Sequence, residues 1–497
     1  MKSGFQSTLV LIGGRMTAFL VGFFTPVVLA RVFDQAAFGT YKQIFLIYGT
    51  IQGVAQLGMA ESLFYFIPTD QARAGRYAFN SVVVLAGAGA AFLAALWMGR
   101  LHIAGWLRNQ AVAPLVPAIG LYLLVMLVTA LLEIVMISRR RHVWAAGSYA
   151  LSDMLRAVLL ILAAAVFGDL RWVMAAIVVF GLARLAATLV YLRREFGGEF
   201  RPDAGLLRRQ LAYALPFELA VLVEVAQANY HSWAVSYHFS AAVFAIYAVG
   251  CLQLPFVDFV ATPASNVMMV RMAEELRAGR RHLAAFIWRD TTRKLALIFI
   301  PIFIFLFISA RDIILLLFTS RYAESVPIFM LWCTVILLAV IQTDGLLRVY
   351  AQTRFLLLMN VVRLGVVAVL INWAISSFHL LGAVLVTVLG TAVAKVLALE
   401  RARTLMQVGV GGILPWRSLA STLGVGCAAA VPALLVKRFV ALPNLPLLAL
   451  VGTAYMLSYA ALLFWFDLLS ADEKRFIADG LRRLLPRAVK AGEAEGA

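Results

Sequence analysis

Phe33-Asp-Gln-Ala-Ala-Phe-Gly-Thr-Tyr41 returns in weaker form as Phe239-Ser-Ala-Ala-Val-Phe-Ala-Ile-Tyr247. Phe33/Phe239, Ala36/Ala242, Phe38/Phe244 and Tyr41/Tyr247 all align at one offset of 206 residues. Each copy follows one long apolar segment and precedes another. Each therefore reads as the hairpin after the first helix of a bundle. Four matches in nine positions carry little alone, since Ala and Phe are common in this chain. They gain force because the flanking apolar segments align as well. The simplest reading is two similar lobes joined head to tail. Internal repeats of this kind mark transporter folds, with the substrate site between the halves.

The composition agrees. The chain has 497 residues, 63% hydrophobic and 14% charged, whereas a soluble domain is about half apolar and a quarter charged. The excess comes in blocks of about 20 residues, the length that crosses a hydrocarbon core. The expected fold class is an all-α polytopic membrane protein. A net charge of +18 would suggest nucleic acid in a soluble protein. Here an excess of cations on one side of a membrane explains it, and no nucleic-acid partner is expected. Cys251, Cys333 and Cys427 stand singly inside apolar spans and offer neither a disulfide framework nor metal-ligand spacing. Gly13-Gly14-Arg15 interrupts the first apolar run, and no small-residue cleavage site precedes a soluble domain. The first helix is therefore expected to be retained.

Fourteen spans are expected, at roughly 7–30, 43–67, 78–98, 114–138, 143–167, 172–192, 210–235, 243–268, 295–310, 325–349, 355–376, 380–400, 418–436 and 445–466. Their connections are mostly too short for a soluble catalytic domain, and the chain reads as a transporter rather than an enzyme. Loops on the N-terminal side hold 28 Lys and Arg; the opposite loops hold 9, among them Arg31, Lys42 and Arg321. Both termini are accordingly expected in the cytoplasm. The basic loop from Arg193 to Gln210 divides the lobes. Residues 1–198 form the N-terminal lobe (spans 1–6) and residues 199–404 the C-terminal lobe (spans 7–12). Residues 405–466 follow the Gly409-Val-Gly-Gly-Ile-Leu-Pro415 linker with two extra helices, spans 13 and 14. Residues 467–497 are a basic cytoplasmic tail, in which 472–485 could lie as an amphipathic helix on the inner leaflet. Six spans per lobe give a parallel repeat about the membrane normal, around a central cavity.

Ionisable residues inside spans carry the functional reading. A cation facing lipid at a helix centre costs about 2.5–3.5 kcal/mol on insertion scales, so Arg15, Arg156, Arg184, Arg348, Arg363 and Lys395 must pair, snorkel or line a polar cavity. Arg348 stands one turn from Asp344, and Asp153 and Arg156 share a helix face. Arg15, Arg184, Arg363 and Lys395 have no acid nearby in sequence and are the first candidates for a shared water-filled cavity, with Arg156 joining them if its pair is not purely structural. Fixed positive charge at low dielectric suits an anionic headgroup. Among the acids, Glu218 and Glu224 follow Pro216, and Asp258 lies in the next span. They are candidates for coupling to H⁺ or Na⁺, against the equal reading that they balance cations or bond between helices.

Other motifs fall away. Gly49-Thr-Ile-Gln-Gly53 needs only close helix packing. Gly424-Val-Gly-Cys-Ala-Ala429 lies in a span with no strand before it. Gly197-Gly-Glu-Phe200 spells the signature of cyclic-dinucleotide synthases but sits in a short loop. No metal motif, phosphate-binding loop or cofactor fingerprint stands up, and neither a metal nor a cofactor is expected.

Read with its flanks, the opening stretch is Leu29-Ala-Arg-Val-Phe33, Phe38-Gly-Thr-Tyr41, Gln56-Leu-Gly58 and Phe66-Ile67. It resembles the start of the polysaccharide transport family, the O-antigen and exopolysaccharide flippases. Leu315-Leu-Leu-Phe-Thr-Ser-Arg-Tyr322 with Pro327 is similar to that family's outer loop before the tenth span, although the family usually has Gly where Thr319 stands. Leu380-Leu-Gly-Ala-Val-Leu-Val-Thr387 is similar to the opening of its twelfth. The resemblance implies the multidrug/oligosaccharidyl-lipid/polysaccharide exporter fold, two six-helix lobes in a V around a cavity. It also implies flipping of undecaprenyl-diphosphate-linked oligosaccharide across a bacterial inner membrane for cell-surface polysaccharide synthesis. Polysaccharide polymerase and assembly proteins are implied partners, beside membrane lipids. Fourteen spans also resemble the lipid II flippases, whose last two helices guide the lipid tail. Three alternatives stay open: a drug/cation antiporter or lipid II flippase of the same fold, a membrane enzyme of polysaccharide assembly, and a non-transporting scaffold.

Overall fold

A computed structural model describes residues 21–475. Among them the chain is helical throughout, with no strand. The first elements are α1 (Val21–Val32), α2 (Gln35–Ala55), α3 (Met59–Thr69) and α4 (Ala74–Trp106). They are followed by α5 (Val116–Thr129), α6 (Leu131–Ser138), α7 (His142–Phe167) and α8 (Leu170–Phe196). After the turn at residues 197–203 come α9 (Ala204–His238), α10 (Ala241–Gly250), α11 (Pro255–Arg277) and α12 (Arg281–Ile308). Next are α13 (Ala310–Phe318), α14 (Ser325–Trp332), α15 (Thr334–Ala339), α16 (Thr343–Val349) and α17 (Thr353–Met406). The last are α18 (Val410–Ile413), α19 (Trp416–Phe439) and α20 (Asn444–Trp465).

The organising stretch is more helical than its sequence suggests. Asp34 N-caps α2, its carboxylate accepting from the Ala37 N–H at 2.7 Å. Only Phe33 and Asp34 form the turn, and Gln35 onward is helix. Ser240 stands at the same place before α10. The two helices so begun lie against each other. A Cβ on Gly39 would come within 1.8 Å of the Ala241 carbonyl oxygen, so only a glycine lets α2 and α10 approach this closely.

Nine helical runs among the described residues are long and apolar enough to cross a membrane. A tenth crossing is made by Ala204–Pro216 and Val221–His238, bent by 48°, where Pro216 removes a backbone donor and crowds the preceding turn. The departures from fourteen have local causes. Part of the first span lies outside the described residues. The second is broken between α2 and α3 where Gly58 turns left-handed (φ 62°). The eighth is divided into α10 and α11 around Cys251–Leu254. The ninth begins at Arg281 rather than near 295, so Arg289, Arg293 and Lys294 ride on a helix. The eleventh and twelfth form one 54-residue run, folded back at His379 (φ 51°). There Gly382 meets the Ala374 carbonyl, and Gly390 meets Val367 and the Arg363 carbonyl. The loop expected from 193 to 210 is short, because α8 runs to Phe196.

Enclosure sorts the helices. In Val116–Ser138, 72% of the apolar core segment is buried, against 17% for Gln71–Trp106. The first is therefore a central post, and the second presents its apolar surface outward, as a lipid-facing helix must. The helices α19 and α20 pack on α12 and α13. The Tyr459 hydroxyl donates to the Leu297 carbonyl at 3.0 Å. Lys437 donates to the Ile308 carbonyl at 2.8 Å and pairs with Asp312 at 2.6 Å.

Candidate substrate cavity

A cavity of about 950 Å³ opens in the middle of the bundle. It is lined by α1, α2 and α7 and by α9, α10, α11, α13, α14, α15 and α17. Three basic side chains reach it, Lys42, Arg156 and Arg363, against a single acid, Asp153. His231 and Asn229 of α9 add neutral polar groups.

Each cation is held differently. Arg156 pairs with Asp153 one turn earlier on α7 at 2.8 Å, and the Tyr122 and Tyr48 hydroxyls stand beside it. Arg363 has no carboxylate at ion-pair distance among the described residues. Instead, with the Gln227 amide turned so that its oxygen faces α17, that oxygen accepts from Arg363 Nε at 3.1 Å and from its Nη1, and the Gln227 nitrogen donates to Asn360 at 3.3 Å. Lys42 lies with its ammonium 5.5 Å from the centre of the Phe38 ring, a cation–π contact, and likewise has no acid partner among the described residues.

The arrangement around Arg363 echoes that around Arg156. Asp153-x-x-Arg156 on α7 and Asn360-x-x-Arg363 on α17 stand 207 residues apart, within one residue of the offset of the two hairpin copies. Where the first copy has a carboxylate, the second has an amide. One cation is thus neutralised within its own helix and the other is not. The repeat stretches build the adjoining surface. Phe38, Tyr41, Phe45 and Tyr48 form an aromatic stripe along α2, with neighbouring ring centres 6.0, 4.6 and 5.9 Å apart. On the other side, the Tyr247 hydroxyl lies 2.8 Å from His231 Nδ1 and fixes that imidazole at the cavity wall.

The other candidates fall elsewhere. Arg15 lies outside the described residues. Arg184 is not a free cavity cation. Its Nη2 donates to both oxygens of Glu133 at 2.8 and 2.9 Å, and Ser148 donates to the same carboxylate at 2.7 Å. Its acid is 51 residues away in sequence, on α6, which is why proximity along the chain missed it. Lys395 is also engaged: it donates to the Ile341 carbonyl and the Thr343 hydroxyl, each at 2.9 Å, with Asp344 at 3.7 Å. It therefore satisfies the backbone where the span of α15 and α16 is interrupted. Asp344 faces Lys395, and Arg348 is exposed.

Glu218 is buried, with one oxygen unpartnered, facing the Gly58 N–H and the Glu61 carboxylate. Glu224 and Asp258 are exposed and do not line the cavity. Lys42 is the cavity residue the sequence reading placed wrongly, in an outer loop. The signal that finds it is the N-cap at Asp34, which starts α2 eight residues before Lys42 and puts it one turn beyond Phe38. The Gly197-Gly-Glu-Phe200 turn has a structural role: Glu199 pairs with Arg76 at 2.9 Å.

Residues 5–251 match the model of a family described as polysaccharide biosynthesis protein. Over that stretch, just under half of its length, the chain is similar to this family. No curated protein matches the chain. Among solved structures it is similar to the lipid II flippase MurJ in an inward closed conformation, at 11% identity with a TM-score of 0.74, over 93% of this chain and 100% of that one. It is also similar to an inward-facing multidrug resistance MATE family transporter of the MOP superfamily, at 13% identity and a TM-score of 0.59, over 80% and 98%. A MOP superfamily transporter from Pyrococcus furiosus, described as having a binding pocket of reversed polarity, is similar at 13% identity and a TM-score of 0.54, over 81% and 94%. At such identities the likeness is one of fold. The chain is a multi-pass membrane protein with the fold that MurJ and the MATE proteins share.

Proposed function

We propose that the protein flips an undecaprenyl-diphosphate-linked oligosaccharide across a bacterial cytoplasmic membrane, with both termini inside, supplying cell-surface polysaccharide synthesis of the O-antigen or exopolysaccharide kind. The observation that carries this reading is the cation excess of the central cavity, where Lys42 and Arg363 meet no acid. The task is to move a polar head through about 30 Å of hydrocarbon. A diphosphate binds where cations already desolvated by the protein have no internal carboxylate to displace, and Arg363 offers a planar fork for phosphate oxygens. The family match and the likeness to a lipid II flippase support a lipid-linked cargo over a drug cation, for which an acidic cavity is the better host.

In this reading residues 1–198 and 199–404 are the two lobes, which rock about the cavity, and α19 and α20 guide the polyprenyl chain. Glu218, the buried acid, is a better candidate for coupling to H⁺ or Na⁺ than Glu224 or Asp258. A polysaccharide polymerase and assembly proteins would receive the cargo.

The test is flipping in proteoliposomes of a fluorescent polyprenyl-diphosphate sugar, read by an external quencher. Wild type should flip it, and Lys42→Ala and Arg363→Ala should each slow flipping about ten-fold or more, the loss of one charge-assisted contact. Lys395→Met, outside the cavity, tests position against charge. No flipping by wild type, with drug cations moving instead, sinks the cargo assignment. Preference for lipid II over other saccharides would narrow it to that cargo.

A further inference from the structure

A second cleft, of about 630 Å³, lies where α12 and α19 both begin, at the end of the bundle to which the chain returns after α20. Phe286, Arg289, Asp290 and Arg293 line it from α12, and Trp416 and Arg417 from the first turn of α19. Its charges are unevenly satisfied. Asp290 is held by Lys294 at 2.6 Å and Arg293 at 3.2 Å. Arg293 is further tied to Glu473, beyond α20. Arg417 has no carboxylate at ion-pair distance among the described residues, and Arg289 reaches only the Gly412 carbonyl, at 3.5 Å. Two guanidiniums thus enter the cleft without an anion. α19 adds to their field: it is 24 residues long and starts without a side-chain cap, so its first N–H groups point partial positive charge the same way. The rim has another character, with Phe286 58% and Trp416 49% exposed. A large apolar face beside an indole, at the ends of two membrane helices, is the surface that sits among lipid headgroups.

We propose that this cleft binds the phosphate of an anionic glycerophospholipid, with Arg289 and Arg417 on the phosphate oxygens and Phe286 and Trp416 against the acyl-chain root. The site is separate from the central cavity and independent of what that cavity carries. The aromatic rim favours a lipid phosphate over a soluble one, because a free anion gains nothing from it.

The experiment is native mass spectrometry of the full-length protein released from detergent, titrated with dioctanoyl phosphatidylglycerol, dioctanoyl phosphatidylcholine or inorganic phosphate. Wild type should retain one saturable phosphatidylglycerol adduct. The Arg289→Gln/Arg417→Gln variant should bind it at least about ten-fold more weakly, the loss expected for removing charge-assisted bonds. Arg277→Gln/Arg281→Gln, which removes equal charge from the neighbouring α11–α12 junction, should bind as wild type does. Equal loss in that control reduces the effect to surface charge and overturns the site. Undiminished binding in the first variant does the same, as does equal retention of phosphatidylcholine. Competition by inorganic phosphate at equal strength overturns the lipid as the source of the phosphate. Arg289→Lys/Arg417→Lys keeps the charge and guards against misfolding: it should fold and bind with intermediate affinity.

Discussion

The guanidinium of Arg31 donates from Nε to the Leu317 carbonyl at 2.9 Å, joining residues 286 apart in sequence. Its Nη2 also donates to the carbonyl of Leu316. The contact is reciprocated: Arg321 donates to the Phe33 carbonyl at 3.4 Å, Gln35 donates to the Arg321 carbonyl at 2.6 Å, and Phe38 meets Tyr322 edge to face at 6.0 Å. The opening stretch and the Leu315–Tyr322 stretch therefore clasp each other at one end of the cavity. Both arginines belong to the side with few basic residues, expected to be outside.

Breaking this clasp should favour the outward-open form. Hydrogen bonds to a charged group are worth about 1.5–3 kcal/mol when enclosed and less when exposed, as here. Taking about 1 kcal/mol, Arg31→Ala should move the closed-to-open ratio about five-fold. Spin-label distances between the outer ends of α2 and α13 would report the shift. An unchanged distance distribution would remove the clasp from the transport cycle.

The Arg184–Glu133 pair gives a sharper stability test. Removing one member of a buried pair leaves an uncompensated charge and costs about 3–5 kcal/mol, whereas replacing both by apolar residues is often neutral. Arg184→Met and Glu133→Leu should each lower the melting temperature in detergent, and the double variant should recover most of the loss. Loss of flipping in a well-folded double variant would instead place Arg184 in substrate handling.

Gly39→Ala should be among the most damaging single-methyl changes in the chain. The added Cβ meets the Ala241 backbone rather than a movable side chain, so α2 and α10 must part, at a cost of about 1–3 kcal/mol or more. A Gly49→Ala control has open space at its Cβ and should melt as wild type does.

Acid should loosen the join between α4 and α9. Asp203 caps α9 and is held below the usual carboxylate range, first by the Leu206 N–H and then by Arg76. A depressed folded-state pKa stabilises at pH above the unfolded value and loses that contribution as pH falls through the folded one. The loss should therefore set in below about pH 4. Melting temperatures from pH 7 to 3 should fall less steeply at the acid end for Asp203→Asn, which starts lower at neutral pH. Parallel curves would show that the cap does not titrate with folding.

Legibility from sequence varied with the range of the interaction. The apolar blocks announced a membrane bundle because hydrophobic length is a local property. The Asp153–Arg156 pair was readable because its members stand one turn apart on one helix. Arg184 and Lys395 looked unpaired because their partners, Glu133 and the interrupted α15–α16 segment, come from other helices. Lys42 reads as a loop residue because hydropathy marks where apolar residues begin, whereas a helix begins at its cap.

The sequence by itself determined that this is an all-helical membrane protein, that a motif recurs 206 residues on, and that ionisable residues inside its spans require polar surroundings. Those conclusions rest on composition, period and the cost of placing charge in hydrocarbon, which need no partner. Only the tertiary structure decided which cations share the cavity, which are spent on internal pairs, and that the two motif stretches close on each other. Pairing energy falls off over a few ångströms, and chain separation says almost nothing about distance once helices pack side by side.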